Sequence, residues 1–82
     1  MLQPRIVSVA PFGECSLLLT YDGEPPRVFD VKPYATGPWY GELLDTAYFK
    51  LVRLLDNGSG IEWPHGQDIS PHELYELSVP VA

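Results

Sequence analysis

The chain has 82 residues, 45 % hydrophobic and 20 % charged, with five Lys and Arg against eleven Asp and Glu for a formal charge of −6. That composition excludes a disordered tail, and the length excludes two separately packed cores, so residues 1–82 read as one domain. An excess of acid repels phosphate backbones, which excludes nucleic acid as a partner of this domain.

Ile6 to Ala10, I-V-S-V-A, is rich in β-branched residues and is expected to be a strand ending at Pro11. A Gly-containing turn follows. Cys15 to Tyr21 alternates as a second strand, with Cys15, Leu17, Leu19 and Tyr21 on the core side and Ser16, Leu18 and Thr20 on the other. Asp22-Gly23 marks a turn that Pro25-Pro26 lengthens. Arg27 to Lys32 forms a third strand, stopped by Pro33 and completing an antiparallel meander.

Thr36-Gly37-Pro38 breaks the chain again. Trp39, Tyr40, Leu43 and Leu44 are spaced for one apolar helical face. Asp45 is placed to cap a second short helix through Lys50. By periodicity Leu51 to Leu55 could continue that helix or start a strand; the strand is favoured, because Asp56-Asn57-Gly58-Ser59-Gly60 follows as a hairpin turn and Ile61-Glu62-Trp63 pairs back onto it. Ser70, Pro71 and Glu73 have the spacing of a capping box with Pro at the first helical position. Leu74 and Leu77 would face inward on a helix of about two turns that Pro80 ends. The expected fold is α+β in the order βββαββα, a three-stranded meander plus a hairpin packed by short helices.

The acidity is uneven. Residues 42–82 hold two cations, Lys50 and Arg53, against seven acids, a net −5, while residues 1–41 carry −1. A basic protein is steered toward the C-terminal half. The N-terminus lacks the basic-then-apolar pattern of a signal peptide and no run reaches membrane-spanning length, so the expected location is cytoplasmic, with no membrane partner. Cys15 has no cysteine to pair with, and no Lys, Arg or His beside it in sequence to stabilise a thiolate. It reads as a small buried hydrophobe.

His65, Asp68, His72, Glu73 and Glu76 form the one dense cluster of ligand-type side chains. His72 and Glu76 are four apart and share a helix face, half of a metal site. No second helix supplies the other half, so no metal site is assigned and the cluster reads as a solvated face. No serine sits in a nucleophile elbow, and no glycine-rich loop opens a helix to hold a nucleotide. Carboxylate pairs such as Asp22/Glu24 and Asp56/Glu62 lie in or beside turns, where open solvent leaves them unfit for acid–base work. Neither catalytic nor cofactor-binding residues are assigned. The aromatics are many for so small a core, and most are expected to be packed in it; Trp39 and Tyr40, after a Gly-Pro break, read first as core and alternatively as an exposed interface anchor.

F-D-V-K-P-Y at residues 29–34, L-L-D-T-A-Y-F at 43–49 and W-P-H-G-Q-D-I-S-P-H-E-L-Y at 63–75 together resemble the bacterial domain-of-unknown-function 2442 family. The resemblance spans nearly the whole chain and implies a small α+β domain with a helix packed on an antiparallel sheet. Some members carry an added C-terminal DNA-binding helix-turn-helix, which nothing up to Ala82 matches. Members often sit beside a second small protein, in an arrangement that looks like a toxin–antitoxin pair. The resemblance brings no catalytic residues to map, and among its matching positions Asp68 has the least structural explanation.

The expected function is a non-enzymatic, acidic protein-binding module, the antitoxin-like partner of a small basic protein. Trp39, Tyr40, Asp68, Glu73 and Glu76 are its candidate contacts. The alternative is a small metal-dependent or hydrolytic enzyme using His65, Asp68 and His72. A homodimer formed by pairing sheet edges is a third expectation.

Overall fold

A computed structural model describes residues 5–55, 58 and 60–81. Strands β1 (Ile6–Phe12), β2 (Ser16–Tyr21) and β3 (Arg27–Asp30) form the antiparallel meander. In β2 the alternation expected from sequence holds: Leu17, Leu19 and Tyr21 are buried, and Phe29 of β3 joins them from the position opposite Leu17. Strand β1 runs through Pro11 rather than stopping there. It lies at the sheet's edge, where one side of the backbone makes no ladder bonds and a missing N–H is tolerated. The expected third strand stops at Asp30, because Val31 to Tyr34 turns into a 3₁₀ helix (Lys32–Tyr34) that accepts Pro33 in its first turn.

A fourth strand joins this sheet from the far end of the chain. Pro80 was expected only to end the last helix; instead β7 (Val79–Pro80) pairs with β3, Arg27 opposite Pro80 and Val28 opposite Val79, to give the order β1-β2-β3-β7. The second sheet is β4 (Arg53–Leu54), β5 (Ile61–Glu62) and β6 (Asp68–Ile69), all antiparallel. Of the strand favoured over Leu51–Leu55, only Arg53–Leu54 forms. Of the turn that follows it, Asp56, Asn57 and Ser59 lie outside the described residues. Gly58 is described, and its carbonyl accepts the Ile6 N–H at 3.0 Å, joining the two sheets. At φ +69° an added Cβ would stand 2.5 Å from the Ile6 carbonyl oxygen, so this junction admits only glycine.

The helices are short: α1 (Gly37–Tyr40), a 3₁₀ turn (Gly41–Leu44), α2 (Thr46–Phe49) and α3 (Pro71–Leu77). Asp45 caps α2 as its position implies, its carboxylate accepting from the Ala47 and Tyr48 N–H groups. The apolar face expected of Trp39, Tyr40, Leu43 and Leu44 is not one face. The backbone tightens to 3₁₀ at Gly41, and of the four only Leu43 is buried; Trp39 and Leu44 are half exposed. The capping box does not form. The Ser70 side chain makes no capping bond, and the Glu73 carboxylate is drawn away by the Tyr34 hydroxyl at 2.7 Å. Leu77 also faces water, because α3 ends there and the chain turns to bury Ser78 instead.

One apolar cluster joins both sheets and the helices, with Trp63, Phe49, Phe29, Leu43 and Leu74 at its centre. Arg27 ties the chain's far end onto it. The guanidinium donates to Ser78 Oγ and to the Ser78 carbonyl, both at 2.7 Å, and to the Tyr75 carbonyl at 3.2 Å, while lying 4.6 Å above the Tyr75 ring. Hydrogen bonds from a charged donor are worth about 1.5–3 kcal/mol. Arg27→Met keeps the aliphatic stem and is expected to cost about 2–3 kcal/mol in urea unfolding. Tyr21 gives the opposite expectation. Its buried hydroxyl has no partner among the described residues, and burial pushes its ionisation up to about 12. Tyr21→Phe should leave stability unchanged or raise it by about 1 kcal/mol; a loss above that would mean the hydroxyl is bonded.

Candidate functional site

The W-P-H-G-Q-D segment is the hairpin between β5 and β6. Trp63 N–H donates to the Gln67 carbonyl at 2.9 Å and Gly66 N–H returns to the Trp63 carbonyl at 2.8 Å, closing a tight loop around Pro64 and His65. Trp63 is fully buried, and its indole N–H finds the Phe49 carbonyl at 2.9 Å. Gly66 sits at φ +101°, where a side chain would be strained, and a Cβ there would lie 3.7 Å from the Trp39 ring. The Trp39 ring therefore lies against the backbone of the hairpin.

Behind the loop, Gln67 is completely buried, and its amide uses both N–H donors and accepts one bond at its oxygen. Nε2 donates to the Trp39 carbonyl at 3.1 Å and to Glu42 Oε1 at 2.9 Å, and Oε1 accepts from the Tyr48 hydroxyl at 2.6 Å. The same Tyr48 oxygen accepts the His65 N–H at 2.8 Å, and the two rings stack 4.9 Å apart. Glu42 Oε1 also meets His65 Nδ1 at 2.8 Å. These bonds to His65 and then Gln67 hold the Glu42 carboxyl below its ordinary value of 4.5. Tyr40 closes the other side of the loop, its hydroxyl donating to the Asp68 carbonyl at 2.9 Å.

A histidine with Nδ1 fixed by a carboxylate is oriented as a general base is. Here the pair is open to water, the two side chains being 59 % and 34 % exposed, and Glu42 is the imidazole's one hydrogen-bond partner among the described residues. Among those residues no group of three or more His, Cys, Asp or Glu side chains is placed to hold a metal ion. What the arrangement does chemically is hold a loop and an indole rigid at the surface.

Of the residues expected at a partner surface, Trp39, Tyr40 and Asp68 come together around this hairpin. Glu73 does not; it is bonded to Tyr34, whose hydroxyl is pushed up to about 12 by burial and by that carboxylate. Glu76 and His72 are exposed on α3. Asp68 contributes its main-chain carbonyl, and its side chain stands in a row with Glu62 and Arg53 across the small sheet. Arg53 pairs with Glu62 at 2.5 Å and offsets the two facing acids. Sequence reasoning missed Glu42, Tyr48 and Gln67. Gln67 left no trace of its own, since the least explained residue of that segment was its neighbour Asp68. Cys15 is half-buried, and burial, then the nearby Asp30 charge, raises its thiol, which opposes reactivity.

Residues 6–80 match the family model described as "Protein of unknown function (DUF2442)". The chain belongs to the DUF2442 family. No curated protein and no solved structure matches it. In this DUF2442 domain the resemblance's longest segment, residues 63–75, spans the hairpin and the start of α3, and its Trp, His, Gly and Gln each have a structural task. No described helix is long and apolar enough to cross a membrane.

Two substitutions test the network. Gln67→Glu keeps the shape but sets a second carboxylate against Glu42 and strips the donor from the Trp39 carbonyl. It is expected to cost about 3 kcal/mol or more at pH 7, and less at pH 4, where the new carboxyl is protonated and donates again. Glu42 has a lowered folded value, so its contribution is complete above its unfolded value of 4.5 and is lost as pH falls through the folded one. The stability gap between the parent and Glu42→Gln should therefore narrow from pH 6 to pH 3 in urea titrations. A gap that does not change with pH would show that the charge of Glu42 does nothing for the fold.

Proposed function

We propose that this domain is a non-enzymatic binding module of the cytoplasm that takes a small basic protein, as an antitoxin takes its toxin. Trp39 carries the proposal. It is 50 % exposed, yet its carbonyl is bonded by the buried Gln67 amide and its ring rests on Gly66. An indole fixed in place and still half open to water is what interface anchors have in common: large apolar area at little further cost in entropy.

The charge around it supports a basic partner. Glu42 is bonded beneath Trp39, Asp68 is exposed on the strand that Tyr40 holds, and the C-terminal half carries −5. The alternative enzyme has less support: His65 is turned to Glu42, and among the described residues no three His, Cys, Asp or Glu side chains are grouped to hold a metal ion.

The test is a native pull-down from the host followed by calorimetry on any stoichiometric partner. Trp39→Ala removes an exposed side chain and should change folding stability by under about 1 kcal/mol while costing about 2 kcal/mol or more of binding. Glu76→Lys, an exposed helix residue, should weaken association more at low salt than at high salt. Undiminished affinity of the folded Trp39→Ala protein would end this reading. Glu73 is unsuited to the test because its loss also breaks the bond to Tyr34.

A further inference from the structure

An antiparallel sheet with one face on the core normally turns polar side chains to water on the other. The outward face of the four-stranded sheet does so in its flanking rows but not along the row between them. Residues directly opposite one another across strands share a face. Ala10 stands opposite Leu18, Leu18 opposite Val28, and Val28 opposite Val79, so one apolar row crosses all four strands. Leu17 and Phe29, adjacent in sequence to Leu18 and Val28, are buried on the core side, which puts the row on the side away from the core. Val79 is 61 % exposed at one end of the row, and Phe12, at the start of the next row, is 49 % exposed.

The charges select what covers this face. Three rows make up the described outward face: Ser8 with Thr20, the apolar row, and Phe12 with Ser16 and Asp30. Asp30 is the one ionisable side chain in them. A basic protein finds little to recognise here, whereas a second copy of the chain brings the same uncharged row. A two-fold axis through that row covers apolar with apolar and leaves each Asp30 at the rim. The edges of this sheet offer less to the other route to a dimer. At β1 the Ile6 N–H is taken by Gly58 and Pro11 has none to give, and β7 is two residues long and contains Pro80.

We propose that the chain forms a two-fold dimer by stacking the outward faces of two four-stranded sheets, the Ala10–Leu18–Val28–Val79 row against its copy. This surface is separate from the one around Trp39, so the two stand or fall independently. Four strands about 4.8 Å apart make a narrow face, which puts the dimer among small, concentration-dependent interfaces.

Sedimentation equilibrium on the full chain from about 10 µM to about 1 mM tests it. A monomer–dimer equilibrium is expected, with Leu18→Lys and Val79→Lys each raising the dissociation constant about tenfold or more. Leu51→Lys, on an exposed residue after α2, should leave it unchanged. Val79 is mostly exposed in the single chain, so this variant keeps its fold, which circular dichroism verifies. A chain that stays monomeric throughout, as it would if a different protein covers the face, overturns the proposal. So does a dimer that neither row substitution weakens.

Discussion

The amide of Gln67 has no access to water, and three short elements supply its bonds among the described residues. Tyr48 of α2, Glu42 of the 3₁₀ turn and the Trp39 carbonyl at α1 each take one. Helices of four residues are far below the length that is stable alone in water. Apolar burial holds them to the core, but burial has no direction and would tolerate rotation or sliding. A buried amide does not, because any shift that breaks one of its bonds leaves a polar group unpaired at a cost of about 1–3 kcal/mol. The position of Trp39 follows from that constraint.

Arg27 applies the same physics at the other end of the molecule. A two-residue strand such as β7 has too few ladder bonds to find its place by pairing alone. The guanidinium fixes it by bonding the carbonyls of Tyr75 and Ser78 just before the strand begins. Tyr75 is held in turn by Glu24 at 3.1 Å and packs edge-on against Tyr21 at 5.1 Å. The exposed Arg53–Glu62 pair is of a different kind. It neutralises a facing acid but sits in water, where such pairs contribute little.

Features set by neighbours in sequence were legible. The alternation of β2 and the Asp45 cap each depend on residues within a few positions. Features set across the chain were not. Gln67 and Glu42 are 25 residues apart, and Tyr34 draws Glu73 out of its capping box from 39 residues away. Strands β6 and β7 have no periodicity to read, and a proline at an edge looks like a stop. Helical spacing placed Trp39 and Leu43 together without saying that the backbone would tighten between them and bury only one.

The small size of the domain sharpens the contrast between its two uncovered surfaces. Trp39 shares the Gln67 amide with the Glu42 carboxylate, so a basic partner of the kind proposed there would be gathered by long-range attraction and held by a single anchor, and salt would weaken the gathering. The outward sheet face has one acid and an unbroken apolar row, so contact there gains from removing water and is indifferent to salt at the row itself. Net charge of −6 opposes a second copy at long range, yet the acids that carry it lie mostly off that face. Under the two proposals, opposite forces act on opposite classes of partner, so a basic protein and a second copy of the chain would use separate surfaces.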